Sequence, residues 1–446
     1  MPSILIESAK ILVGDELTPA HLFLEDGVIK SISKLRPTSI PELKIDASRL
    51  IALPGMIDAH VHLRDLELSY KETFETGTKA AAAGGFTTVF DMPNSRPPTV
   101  SCSNLADKMS KSDERLFSNV AFQGALVDDQ NELTRMAELG AIAFKLYLNK
   151  SLVTFDTGSE THLMNALQAA KKIDAIITVH AEDGDSIRKS QEKSMAQGRV
   201  SIRDFLRAHS PEIEVYAVRK ILSLGRKVGL RVHICHITVP EAVKLVRRTP
   251  NATCEATAHH LLLNQSTFRT QKTLAICVPP IRDEKIRDGL WKLFAKGEVD
   301  ILASDHAPHT LEEKTSENAW SAASGVPGLE TSLPLMFTQV SKRKLSLRRL
   351  VEATATLPAE LFHLPRKGAL KEGYDADILL VDPKAKVRVQ PEHFQSMARY
   401  SPFKGYRCVG TAAYTIVNGT LVAERGRIVG PAAGRVTKSD RACASS

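Results

Sequence analysis

Eight short apolar runs alternating with helix-like stretches constrain this chain more than any other feature. The runs lie in GMIDAHVHL, GFTTVFDMP, SNVAFQGALV, AIAFKLYL, AIITVHAED, RVHICHIT, ATCEATAHH and VDILASDHAP. Stretches with helical periodicity, such as SYKETFETGTKAAAAG, EVYAVRKILSLG and VPEAVKLVRR, separate them. Eight such units within roughly 300 residues predict an α/β chain built on a (β/α)8 TIM-type barrel. A doubly wound sheet would use the same alternation, but no GxGxxG follows the first strand. Polar residues with chemical capability fall at or just beyond the C-terminal ends of these runs: His60, His62, Asn94, Lys145, His180, His236 and Asp305. Barrel active sites are assembled at that end.

Both ends of the chain have a different texture. Short alternating strands with turns at Gly14-Asp15, Asp26-Gly27 and Asn418-Gly419 predict hairpins. Residues 1–52 and 365–430 are therefore expected to combine into one small β-sandwich domain, with the barrel spanning 53–364. Residues 431–446, small and polar, are expected to form a disordered tail.

Two histidines two residues apart on a strand share a face, so His60 and His62 can reach one metal ion. Arg64 continues the same parity and offers a planar fork suited to a carboxylate. In isolation this pattern fits a buried strand with hydrogen-bonded histidines as well, and the rest of the chain must decide. The 43% hydrophobic and 25% charged composition is that of a soluble globular protein. With neither a secretory leader nor about 18 consecutive apolar residues, the chain reads as cytoplasmic and not membrane-bound. Its net charge of +8 is scattered among both signs, and aromatic residues make up only 5%. A solvated surface is the better reading than a nucleic-acid interface. The six cysteines include no CxxC pair, which indicates reduced thiols.

The ordered set GMIDAHVHLRD, GFTTVFDMPNSRPPT, AFKLYL, VHAED, HICH, CEATAHHLLL and SDHAPHTLEEK resembles the dihydroorotases of the cyclic amidohydrolases. It is similar, more loosely, to allantoinases and dihydropyrimidinases. The resemblance implies a zinc-dependent hydrolase that reversibly cyclises N-carbamoyl-L-aspartate to L-dihydroorotate in pyrimidine biosynthesis. Two zinc ions are implied, with His60, His62 and Asp305 on one and His180 and His236 on the other. Lys145 matches the bridging lysine that carries a carbamate as N6-carboxylysine. A hydroxide held between the metals would attack the ring amide, with Asp305 as general base and then acid. The substrate carboxylate falls to Arg64, Asn94 and His309, His62 lies against the substrate, and Ser324 and Gly325 would offer backbone groups to the ring.

HTLEEK resembles the family's mobile active-site loop, while His259 and His260 read as structural. The chain departs from the family at Val278, where Asn is common, and at Ala258 and Ala323. Beyond the small-molecule substrate, the resemblance leaves open a homo-oligomer or a complex with aspartate transcarbamoylase. Two alternatives stay in view: an allantoinase-like enzyme, with less use for Arg64, and an inactive scaffold for the transcarbamoylase.

Overall fold

The computed structural model describes residues 3–37, 40–150, 152–153 and 155–439. Its barrel strands are β1 (Met56–Val61), β2 (Phe86–Asp91), β3 (Asn119–Phe122, resuming at Gly124–Ala125), β4 (Phe144–Tyr147), β5 (Ile176–His180), β6 (Arg231–Ile234), β7 (Ala252–Thr257) and β8 (Ile301–Ala303). Neighbours pair in parallel from β1 to β3 and from the second part of β3 to β8. A parallel bridge between Val61 and His306 closes the ring, and the His62 N–H donates to the His306 carbonyl at 2.8 Å. Every residue of β1, β2 and β5 is buried. Strands covered on both faces are largely apolar, and the buried polar exceptions here, among them Asp58, His60, Asp91 and His180, gather toward the site.

Helix ends are set by local chemistry. Thr73 and Thr76 form a reciprocal capping box before Phe74–Gly84, and Gly85 terminates that helix at a φ of 92°. Pro211 opens the Pro211–Val228 helix and Gly229 closes it. Among the described residues, no helix is long and apolar enough to cross a membrane.

Strands from both ends of the chain join in one nine-stranded sheet. The join is antiparallel, Ile51–Pro54 against Ile378–Val381. Asp26-Gly27 and Asn418-Gly419 turn with positive φ at both residues, as tight hairpins require. Instead of two separate layers, the single sheet curls until Ile29 exchanges backbone hydrogen bonds with Gly373 and Tyr374. The enclosed core includes Ile4, Leu22, Ile45, Ile378 and Ile416. Gly55 alone links this sheet to β1, and a Cβ there would stand 2.2 Å from the Thr87 hydroxyl oxygen.

The expected disordered tail is corrected over residues 431–439. Val120 donates to the Arg435 carbonyl at 2.9 Å and accepts from Thr437 at 2.8 Å. Along Asn119–Phe122, β3 has only β2 as a barrel partner, and its other edge needs backbone partners that the tail supplies. The remainder of that segment, 440–446, lies outside the described residues.

Candidate active site

Five of the non-glycine residues with left-handed backbone stand at or next to the predicted site residues. Arg64, Asp65 and Leu66 have φ of 60°, 45° and 52°, His236 has 32° and Asp305 has 46°. Each such residue costs on the order of 1 kcal/mol and persists where its surroundings enforce it. The enforcement here is carboxylate. Asp65 accepts from the Leu66 and Phe74 N–H groups at 2.6 and 2.7 Å and from Arg115 at 2.7 Å. Asp91, paired with the buried Lys108 ammonium at 2.6 Å, accepts from the Leu63 N–H at 2.8 Å. Asp58 ties β1 to β8 through the Ser304 N–H at 3.0 Å, and burial pushes its carboxyl up to about 7.

His60, His62 and Asp305 come together, their donor atoms within 4.8 Å of one another; strand parity predicted the shared face of the two histidines, and the resemblance added Asp305. Asp305 Oδ1 lies 3.1 Å from His62 Nε2 and 3.4 Å from His60 Nε2. The opposite ring nitrogens are fixed from behind: Glu255 stands 2.5 Å from His60 Nδ1, and the Asn94 carbonyl oxygen 2.7 Å from His62 Nδ1. Such contacts set the tautomer and aim Nε2 at the shared centre. Burial opposes charge on Asp305, but His60, His62 and His236 outweigh it and hold the carboxyl well below its usual range. Burial draws the His62 imidazole down to about 3.

His180 and His236 lie alongside, with ring centroids 4.6 Å apart and His236 5.2 Å from His60. Buried Glu182 bridges His180 Nε2 at 2.7 Å and His209 Nδ1 at 2.8 Å, which leaves His180 Nδ1 for a ligand. His236 Nδ1 is buried without a partner. Lys145 is buried below these rings, and its Nζ meets Cys235 Sγ at 2.9 Å. An orphaned imidazole nitrogen, a three-donor cluster and an array of neutral imidazoles with carboxylate fit a divalent cation.

On the other side stands Arg64. It is 9% exposed and forms no ion pair among the described residues; its Nε donates to the Pro308 carbonyl at 3.4 Å. His309 lies 3.3 Å from its Nη2. Burial, with Arg64, Lys71 and Lys314 nearby, draws His309 down to about 2, so it stays neutral. Lys71 Nζ lies 3.2 Å from its Nδ1, and the Ser324 carbonyl oxygen 3.1 Å from its Nε2.

Several assignments shift in detail. The Asn94 carbonyl is engaged by His62, leaving its amide nitrogen to face a ligand. Both backbone groups of Gly325 are held by the protein: its N–H donates to Ile276, and its carbonyl accepts from Lys314 and Tyr400. A Cβ on Gly325 would stand 2.4 Å from the Ala307 oxygen, so glycine permits this close approach. His260 is satisfied between Thr257 and the Pro279 carbonyl, at 2.9 Å each, as a structural histidine should be. The run HTLEEK, expected to be mobile, is anchored. Lys314 is fully buried, and its Nζ donates to the Ile276, Ala323 and Gly325 carbonyls at 2.8, 2.8 and 3.0 Å. Lys314→Met is expected to lower unfolding free energy by about 1–3 kcal/mol, because it orphans the Ala323 carbonyl and leaves the Ile276 and Gly325 carbonyls with only their second donors, the Gly325 N–H and the Tyr400 hydroxyl. A urea midpoint equal to the parent's would refute this.

Glu255, Glu182, His209 and Tyr400 were not singled out from the sequence. The first two carried a signal, a carboxylate inside or just after an otherwise apolar strand; nothing local marked the other two.

The Amidohydrolase family model matches residues 51–422. The chain belongs to that family. A dihydroorotase from Methanosphaera stadtmanae is 33% identical over 91% of this chain and 93% of its own length. One from Halobacterium salinarum is 36% identical over 85% and 88%. An L-hydantoinase from Arthrobacter aurescens superposes with a TM-score of 0.93 at 31% identity, covering 98% of this chain and all of the relative. As an amidohydrolase with such relatives, the chain is a cyclic amide hydrolase, and its donor clusters are candidate metal ligands.

Proposed function

We propose that this amidohydrolase is a zinc-dependent dihydroorotase, interconverting L-dihydroorotate and N-carbamoyl-L-aspartate. The observation that carries the reading is Arg64, a buried guanidinium with no carboxylate partner. An unpaired buried charge costs several kcal/mol, and a substrate carboxylate would offset it through two parallel hydrogen bonds. A neutral hydantoin ring leaves that cost in place.

His60, His62, Lys145, His180, His236 and Asp305 would hold two zinc ions, which when bound acidify water and polarise an amide carbonyl. Lys145 supports this as a carbamate. Its amine adds carbon dioxide and loses a proton, replacing a cation among imidazoles with two anionic oxygens. Asp305, ionised in its surroundings, takes the proton of the attacking water and delivers it to the ring nitrogen as the C–N bond breaks. Ring closure reverses these transfers.

Purified protein supplied with zinc and bicarbonate should turn over dihydroorotate with kcat/KM at least about tenfold above hydantoin or allantoin. The L-hydantoinase likeness supports a second reading, hydantoin hydrolysis, and preference for hydantoin would establish it over ours. Preference for allantoin, or no zinc bound and no turnover, would equally refute the proposal. Glu255→Gln should weaken zinc binding about 10–100-fold by removing the carboxylate behind His60. Chelator competition measures this, and unchanged affinity would exclude that role for Glu255.

A further inference from the structure

The Tyr147 hydroxyl oxygen is buried and has no hydrogen-bond partner. Tyr147 follows Lys145 by two residues on β4, so both point into the barrel mouth, and it pairs in register with His180 on β5. Its ring centroid lies 6.2 Å from that of His180 and 5.0 Å from Lys145 Nζ. Arg64 is near enough for its charge and the Tyr147 side chain to act on each other. Cys235 and Asp305 in turn act on Tyr147. The hydroxyl therefore belongs to the barrel mouth, beside the donor cluster and within electrostatic reach of the guanidinium. A tyrosine phenol is protonated at neutral pH and can donate.

A phenylalanine would fill the same volume without stranding a polar atom. The retained hydroxyl calls for an acceptor that arrives with the ligand. Resting on the reading of a carboxylated substrate, we infer that Tyr147 is a specificity-determining residue whose hydroxyl donates to the substrate carboxylate beside Arg64. Arg64 then supplies the charge, and Tyr147 supplies a third, neutral donor that fixes how the carboxylate is turned relative to Asp305.

The test uses full-length, zinc-loaded Tyr147→Phe and its parent, with dihydroorotate as substrate. KM should rise about 10–100-fold while kcat stays within about threefold, the range for a hydrogen bond to a charged group. Zinc content should be unchanged. In an Arg64→Gln background the same substitution should add less than about threefold, because the carboxylate is no longer held. An unchanged KM, a loss confined to kcat, or an undiminished effect in the Arg64→Gln background would overturn the inference for Tyr147 alone. A parent that prefers the uncarboxylated hydantoin ring would overturn the substrate reading, and this inference with it.

Discussion

Asp305→Asn is expected to lower kcat about 1,000-fold, the middle of the range for removing a general base that also serves as acid. Asparagine is the informative replacement because the site is left-handed, with a φ of 46°, and Asn tolerates that conformation about as well as Asp. It also keeps a carbonyl oxygen to face His60 and His62. The fold should survive, so the loss reports proton transfer and metal charge balance. A variant with parental Tm but kcat within tenfold of the parent would remove Asp305 from the chemistry.

Arg64→Gln should raise KM for dihydroorotate about 100-fold, with kcat changed less than tenfold. Two charge-assisted hydrogen bonds to one carboxylate justify that size. The side chain is buried and meets only the Pro308 carbonyl and His309, so its removal breaks no ion pair within the described protein. Hydantoin, lacking the carboxylate, should bind Arg64→Gln and the parent alike. Equal KM values for dihydroorotate in parent and variant would return the guanidinium to a structural role.

Much of the site was legible because strands repeat every two residues. His60 and His62 had to share a face, and their ring nitrogens meet at the barrel mouth; Arg64 reaches the site through left-handed backbone beyond the strand end at Val61, where strand parity no longer holds. The eight strands were likewise readable as short, mostly apolar runs between helical stretches, and β1, β2 and β5 are buried throughout. The curled sheet was harder to read: hairpin turns declare themselves locally, whereas sheet closure depends on Ile29 meeting Gly373 and Tyr374 more than 340 residues away. Mobility of HTLEEK was expected from its resemblance to the family's active-site loop, and no local pattern reveals that Lys314 finds three carbonyls.

What the sequence determined by itself was the alternation of strand and helix and the identity of the donors, both properties of neighbours along the chain. Tertiary structure alone decided which nitrogen of each histidine is free, because Glu255 reaches His60 across 195 positions and Asn94 reaches His62 across 32. It also decided that, among the described residues, Arg64 has no carboxylate partner and the Tyr147 hydroxyl no hydrogen-bond partner. A side chain's chemistry is fixed by its residue type, but its tautomer, charge and unmet hydrogen bonds depend on what folding packs against it.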